Sequence, residues 1–243
     1  RGCIPSKALL HLARIIREVE EASTCGLTFS APEVNLSRVR EWKDGVVATL
    51  AAGIGQLTSA REVMCVEARA RFRDARTIEL TAGDGSVSSL SFEHAVLATG
   101  SRPVRPSTCD LDDPRVMDST QALELADIPQ RLLVIGGGYI GLELGSVYAA
   151  LGSRVTVVEM DGGLLPGADR DLVRPLARRL ATQFEAICTK TRVVSLEARE
   201  DGLAAVFDGS DVPGSSVFDR VLLAVGRRPN SEDLGLDNTS VTT

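Results

Sequence analysis

The sequence predicts an α/β chain built on a parallel sheet. In its second half, short apolar strands alternate with amphipathic helices. A glycine-rich turn joins the first of those strands to the helix after it. Ahead of that region lie two helical periods and a run of short strand-like segments.

Taken in order, Pro5 to about Ala22 carries apolar residues at Ala8, Leu9, Leu12, Ile15, Ile16 and Val19, which share one helical face. Pro5 suits the first turn, where a missing N–H costs nothing. Cys25 to Pro32 reads as a loop, and Leu36 to Ser59 as a second helix weakened by Gly53 and Gly55. Strands are expected at Val63–Val66, Arg69–Phe72, Thr77–Leu80 and Ser89–Phe92, and a brief buried one at Ala95–Ala98.

The proline-bearing stretch from Pro103 to Gln130 is a connector with a short helix, Ser119 to Leu125, and its start is the expected domain boundary. Beyond it the reading is strand Leu132–Ile135, turn Gly136–Gly141, helix Leu142–Leu151 and strand Val155–Glu159. A helix over Asp169–Phe184 and strands near Val193–Glu197, Ala204–Phe207 and Val221–Val225 complete a parallel sheet with helices on both faces.

The chain has 243 residues, 44% of them hydrophobic and 25% charged, which excludes wholesale disorder. A net charge of −6 argues against a nucleic-acid or anionic-membrane binder. Apolar runs are short and broken by charge, so no membrane span is expected. Cys3, Cys25, Cys65, Cys109 and Cys188 are odd in number and scattered, unlike a secreted disulfide framework, and no signal-peptide pattern follows Arg1. A cytoplasmic location is the expectation. A first residue other than Met, and an end at Asn238–Thr243 that reads like mid-chain, suggest an internal fragment.

Gly136-Gly137-Gly138-Tyr139-Ile140-Gly141 satisfies G-x-G-x-x-G, and Glu159 follows about 20 residues later at the end of the second strand. Gly136 permits the tight turn, Gly138 lets the backbone approach a pyrophosphate, and Gly141 lets helix and strand pack closely. The helix start offers N–H donors to the phosphates. Glu159 can accept from the adenine ribose hydroxyls and would repel a 2′-phosphate, and Met160-Asp161-Gly162-Gly163 holds no arginine to compensate. NAD is therefore expected over NADP. The plainer alternative is a tight strand–helix turn with no ligand.

Near the front, Gly2-Cys3-Ile4-Pro5-Ser6-Lys7 sets a thiol at a helix start, with a cation one turn on. Alone, such a cysteine is more often a small buried hydrophobe. The longer segment Gly2 to Leu10 resembles the redox segment of the flavin-dependent disulfide oxidoreductases, above all the dihydrolipoamide dehydrogenase branch. The resemblance extends to Ala98-Thr99-Gly100-Ser101-Arg102-Pro103, to Asp118-Ser119-Thr120-Gln121-Ala122-Leu123, to Gly136–Glu159 and to Ala224-Val225-Gly226-Arg227-Arg228-Pro229-Asn230.

What that resemblance implies is a partial FAD-binding domain over 1–102, an NAD-binding, Rossmann-like domain over 103–226, and a return to the FAD domain over 227–243. Cys3 becomes the cysteine that faces the flavin, Lys7 lies near its reactive nitrogen, and Glu143 pairs with Lys7. Tyr139 falls near the nicotinamide pocket, with a packing role as its alternative. Thr99, Gly100 and Ser101 contribute to the FAD site through backbone and hydroxyl groups. Ala70 stands where relatives often place a glycine that contacts FAD through its main chain, a departure from the pattern. Val193 and Ala224, Val225, Gly226 and Arg227 line the NAD site, core packing being the alternative for both valines.

The implied reaction oxidises protein-bound dihydrolipoamide through a redox disulfide and FAD and passes the electrons to NAD⁺. Implied partners are the lipoyl domain of a 2-oxo acid dehydrogenase acyltransferase and a second copy of the chain. The resemblance puts the first redox cysteine, the FAD pyrophosphate motif and a C-terminal His–Glu base outside these residues, so they alone are expected not to turn over. His11 and His94 lack the context of that base. The rivals are a glutathione- or mercuric-reductase-like enzyme of the same family and a non-catalytic nucleotide-binding module.

Overall fold

The protein is described here by a computed structural model covering residues 2–209 and 215–242; Arg1, which precedes the redox segment, and Thr243 lie outside the described residues. In chain order the elements are α1 (Cys3–Glu21), α2 (Leu36–Ala60), β1 (Arg69–Asp74), β2 (Thr77–Thr81), β3 (Val87–Ser91) and β4 (Ser101–Pro103). Then come β5 (Val116–Met117), α3 (Ser119–Glu124), β6 (Arg131–Ile135), α4 (Tyr139–Ala150), β7 (Arg154–Val158) and α5 (Arg170–Ala181). The last are β8 (Ala186–Cys188), β9 (Arg192–Arg199), β10 (Gly202–Asp208), β11 (Ser215–Phe218), β12 (Arg220–Leu223) and β13 (Arg227–Pro229).

The chain divides into two compact units, one formed by Arg1–Leu50 with Pro103–Gly226 and the other by Ala51–Arg102 with Arg227–Thr243. In the first, five strands run in the order β5-β12-β6-β7-β8, all parallel. Strand pleating splits its residues between two cores. Leu132, Val134, Val155, Val157 and Leu222 meet Leu9 and Ala13 of α1, Tyr148 of α4 and Leu180 of α5. Leu133, Ile135, Val158, Val221 and Leu223 instead meet Leu203, Ala205 and Phe207 of β10 and Phe218 of β11.

The α/β class and the parallel sheet hold, but the covering of the second face departs from expectation. Among the described residues the α-helices pack on one face. The other is closed by an antiparallel sheet of order β11-β10-β9, so the segments near Val193–Glu197 and Ala204–Phe207 do not join the parallel sheet. Short turns between them allow hairpin pairing, whereas a parallel neighbour needs a crossover of a dozen residues or so.

Two local signals shape α3 and its surroundings. Asp118 and Gln121 form a reciprocal capping box, with Asp118 Oδ1 accepting from Thr120 N at 2.7 Å and Asp118 N donating to Gln121 Oε1 at 2.8 Å. At the far end, Lys43 of α2 donates through Nζ to the Leu123 carbonyl at 3.1 Å, and Arg40 through Nη1 to the Leu125 carbonyl at 3.2 Å. Both cations meet the negative end of that short helix.

The second unit holds an antiparallel meander, β1-β2-β3, and the short pair β4–β13. Phe72 and Phe92 meet edge-to-face at 5.8 Å beneath the meander. Along β1, Phe72 N donates to the Leu234 carbonyl at 2.7 Å and Asn238 Nδ2 to the Phe72 carbonyl at 2.9 Å. The expected strands at Val63–Val66 and Ala95–Ala98 are irregular chain, and Val96 is 92% exposed. Among the described residues neither has a strand beside it, and β character needs a partner to supply its ladder.

Candidate dinucleotide cradle and redox helix

The glycine turn lies at the carboxyl end of β6, between β12 and β7. Gly136 has φ +109°, and a Cβ placed there would meet the Ala224 carbonyl oxygen at 2.4 Å, so only glycine serves. Gly141 is equally crowded, its would-be Cβ 2.2 Å from the Gly136 oxygen. These two glycines let α4 press against β6 and β12. Gly138 differs: nothing lies within 4 Å of its would-be Cβ. That open space over the backbone fits the close approach of a pyrophosphate.

The helix starts earlier than expected, at Tyr139 rather than Leu142, and its first backbone bond runs from Leu142 N to the Gly138 carbonyl at 3.0 Å. Tyr139, Ile140 and Gly141 therefore form the first turn of α4, where N–H groups are left without intrahelical acceptors. Those donors and the helix dipole point toward the same open space that Gly138 leaves. Tyr139 is 64% exposed, so its ring fills no core.

Glu159 is 7% exposed at the end of β7. Its Oε2 accepts from Gly137 N at 2.6 Å and its Oε1 from Asp161 N at 2.8 Å. The carboxylate thus ties the glycine turn to the following loop, and each oxygen keeps a further lone pair for a ribose hydroxyl. Gly137 is held on both sides, since the Leu165 N also donates to its carbonyl at 2.9 Å.

Ala224 and Val225 come to the same place, because Ala224 N donates to the Ile135 carbonyl at 2.8 Å beside the turn. Gly226, with φ +134°, turns the chain away. Val193 is buried in the core beneath the antiparallel sheet, opposite Phe207. Its side chain packs, leaving only its main chain to face a ligand.

Cys3 opens α1 as an exposed residue. One turn on, Lys7 Nζ lies 2.6 Å from Glu143 Oε1 on α4, with side chains 61% and 28% exposed. α1 packs directly on α4, and Arg17 strengthens that seam by donating through Nη2 to the Ser146 carbonyl at 2.7 Å. Burial, with Arg179 beside it, lowers the Arg17 guanidinium from its ordinary value. The structure therefore brings Cys3, Lys7, Glu143, the glycine turn, Glu159, Ala224 and Val225 into one compact unit.

In the other unit, the Thr99 hydroxyl donates to the Asn230 carbonyl at 2.8 Å, and Asn230 Nδ2 returns a bond to the Thr99 carbonyl at 3.0 Å. Ser101 Oγ accepts from Arg227 Nε at 2.7 Å, and Arg227 also donates to the Ser101 carbonyl. Gly100 adopts φ +74° between them. Each hydroxyl thus helps hold the two chain segments together, Thr99 keeping its acceptor lone pairs and Ser101 its O–H donor. Ala70 lies in β1 opposite Leu80, with its main chain in the meander ladder.

Reading the sequence alone missed the grip of Lys43 and Arg40 on α3, because a helical lysine reads as solvated; its one signal is the end of a capped helix nearby. Among the described residues no helix is long and apolar enough to cross a membrane, and no group of three or more His, Cys, Asp or Glu is placed to hold a metal.

Residues 1–243 match the family profile described as "Pyridine nucleotide-disulphide oxidoreductase". The dihydrolipoyl dehydrogenase of Haemophilus influenzae is 42% identical over 95% of this chain and 48% of its own length. The dihydrolipoyl dehydrogenase of Vibrio cholerae is 39% identical over 99% of this chain and 50% of its own. The chain spans about half the length of the curated relatives it matches. Among solved structures, the Cu(II) complex of the HOCl-induced flavoprotein disulfide reductase RclA from Escherichia coli superposes with TM-score 0.79 at 26% identity, covering 99% of this chain and 50% of that one. LpdA from Mycobacterium tuberculosis shares the fold at TM-score 0.85 and 24% identity, over 99% of this chain and 52% of that one.

Proposed function

The chain belongs to the pyridine nucleotide-disulphide oxidoreductase family, and on that premise we propose that it is a segment of a dihydrolipoyl dehydrogenase. The whole protein oxidises dihydrolipoamide carried on a lipoyl domain of a 2-oxo acid dehydrogenase complex and delivers the electrons to NAD⁺. The observation that carries this reading is the 2.6 Å Lys7–Glu143 pair, which joins the helix of Cys3 to the helix of the glycine turn.

We assign residues 1–102 to a partial FAD-binding domain, 103–226 to the NAD-binding domain and 227–243 to the return of the chain. FAD and NAD⁺, when bound, supply the electron-pair and hydride chemistry. The chain's own residues do the rest. Gly138 and the free amides of Tyr139, Ile140 and Gly141 bind the NAD pyrophosphate, and Glu159 orients the adenosine ribose. Cys3 is one sulfur of the redox disulfide. A substrate thiolate attacks that disulfide, a mixed disulfide forms, and the second substrate thiol closes the lipoyl ring. Two electrons pass from substrate to enzyme, while the S–S bond broken in the enzyme is replaced by the one formed in the lipoyl ring, leaving the Cys3 sulfur reduced. Glu143 holds Lys7 in place and compensates its charge where a cofactor ring would exclude water. Ala70 and Gly100 are assigned to FAD through their main chain, and Thr99 and Ser101 through main chain and hydroxyls, each hydroxyl keeping capacity beyond its bond to Asn230 or Arg227. Tyr139, Val193, Ala224, Val225 and Gly226 flank the NAD site, and Arg227, the next residue, pairs with Ser101 in the other unit.

A homodimer and a cytoplasmic location complete the proposal, the latter supported by an odd, scattered set of five cysteines. Steady-state assays of the whole protein test it. Rapid NAD⁺ reduction with dihydrolipoamide and none with glutathione is expected; preference for glutathione disulfide with NADPH would move the chain to the glutathione reductase branch. Full activity after alkylation of Cys3 would leave only a nucleotide-binding module.

A further inference from the structure

The loop after β8 is laced to the loop after β7 by three backbone bonds. Glu159 N donates to the Cys188 carbonyl, Lys190 N to the Asp161 carbonyl and Thr191 N to the Glu159 carbonyl, each at 2.9 Å. They hold Lys190 in the left-handed region at φ +51°, a conformation that a lysine adopts only when its surroundings impose it. The side chain then runs across the neighbouring loop, its Cε 3.6 Å from where a Cβ on Gly162 would stand. A lysine 31 positions beyond Glu159 thereby delivers its cation to the loop that follows Glu159, which no reading of neighbours in sequence reveals.

The other nearby cations are committed. Arg170 donates to the carbonyls of Leu164 at 3.0 Å, Leu165 at 2.7 Å and Ala168 at 2.9 Å, and Arg192 pairs with Asp208 at 2.8 Å. Among the described residues Lys190 Nζ has neither a hydrogen bond nor an ion pair. Both oxygens of Glu159, meanwhile, already accept from backbone amides, of Gly137 and Asp161. The group expected to repel a 2′-phosphate keeps its charge but is held against the backbone, and the Lys190 side chain, without a partner for its ammonium among the described residues, runs past Gly162 on the adjoining loop.

We infer that Lys190 is a specificity-determining residue that makes the adenosine end of the cradle receptive to a 2′-phosphate, so that discrimination between NAD and NADP is weaker than Glu159 alone would enforce. The inference rests on the dinucleotide reading of the glycine turn. Adenosine 2′,5′-bisphosphate, which carries the phosphate, and ADP-ribose, which lacks it, are the probes, titrated calorimetrically into the whole protein and its Lys190→Gln and Lys190→Arg variants. Lys190→Gln should weaken the bisphosphate about fivefold more than ADP-ribose, the scale of one solvent-exposed ion pair, and Lys190→Arg should restore the ratio. An unchanged ratio in Lys190→Gln overturns the inference while ADP-ribose binding still supports the cradle. Failure of the unsubstituted protein to bind ADP-ribose overturns the dinucleotide reading and this inference with it.

Discussion

Lys7 and Glu143 are 136 positions apart in the chain and 2.6 Å apart in space. Each lies in the early part of its helix, so the pair joins the segment of Cys3 to the first turns of α4. With Lys7 61% exposed, the pair contributes little to stability, about 1 kcal/mol or less. Its value is positional. Glu143→Gln is expected to leave the unfolding midpoint nearly unchanged while lowering NAD-linked turnover of the whole protein on the order of tenfold or more. Parallel thermal melts and steady-state rates check this; equal losses in both would make the pair a structural tie only.

The glycines separate fold from binding. Gly136→Ala drives a Cβ to 2.4 Å from the Ala224 oxygen at φ +109°, a cost of about 3 kcal/mol or more. Gly138→Ala enters open space at φ −77°, and at a helix N-cap, where glycine is favoured over alanine, it costs about 1 kcal/mol or less. It should fold normally and lose NAD affinity about tenfold or more, because the new methyl fills the space kept for the pyrophosphate. Calorimetric titration of NAD into the Gly138→Ala variant decides it, and unaltered affinity would place the pyrophosphate elsewhere.

Acid stability should depend on Asp219. Burial pushes its carboxyl up, but Arg131 outweighs that, donating from N at 2.8 Å, Nε at 3.1 Å and Nη2 at 2.7 Å, so the group ends below the usual carboxylate range. A carboxyl depressed by folding stabilises above its unfolded value, about 3.9, and loses that contribution as pH falls through the lower folded value. Urea midpoints should therefore hold steady above about pH 5 and drop in more acid solution. Asp219→Asn should cost about 1–2 kcal/mol at neutral pH and flatten the acid limb. An unchanged acid limb would assign it to other carboxylates.

Lys43 is 7% exposed and serves the end of α3 through the Leu123 carbonyl, with Asp44 at 2.9 Å to balance it. Lys43→Met keeps the length and removes the donor, leaving that carbonyl unpaired at about 1–3 kcal/mol. The Arg40 bonds, which are more exposed, should cost less when Arg40→Ala is made. Denaturant titrations of the two variants rank them, and the reverse order would contradict the buried role of Lys43.

The parts legible in the sequence are those whose geometry is local. Gly136 and Gly141 announce a strand–turn–helix because backbone crowding at those two positions admits no side chain, and Asp118 with Gln121 announces a cap. What escaped depends on partners far along the chain. The β9 segment alternates like any strand, and nothing within it says that it pairs antiparallel with β10 and covers the second face. Ala95–Ala98 has strand composition but, among the described residues, no strand beside it. The Thr99 and Ser101 hydroxyls also bond Asn230 and Arg227, partners 131 and 126 positions away. Lys190 reaches Gly162 only because two loops are laced together.

On the proposed function, the Cys3 sulfur exchanges electrons with a dinucleotide bound at the glycine turn. The direct measurement is the redox state of Cys3 in the flavin-loaded whole protein, read anaerobically before and after one equivalent of NADH by acid quenching, differential alkylation and mass spectrometry of the Cys3 peptide. The account predicts that Cys3 is protected from alkylation before NADH and becomes labelled after it, and that Gly138→Ala suppresses the change. Labelling of Cys3 that is the same with and without NADH would contradict it.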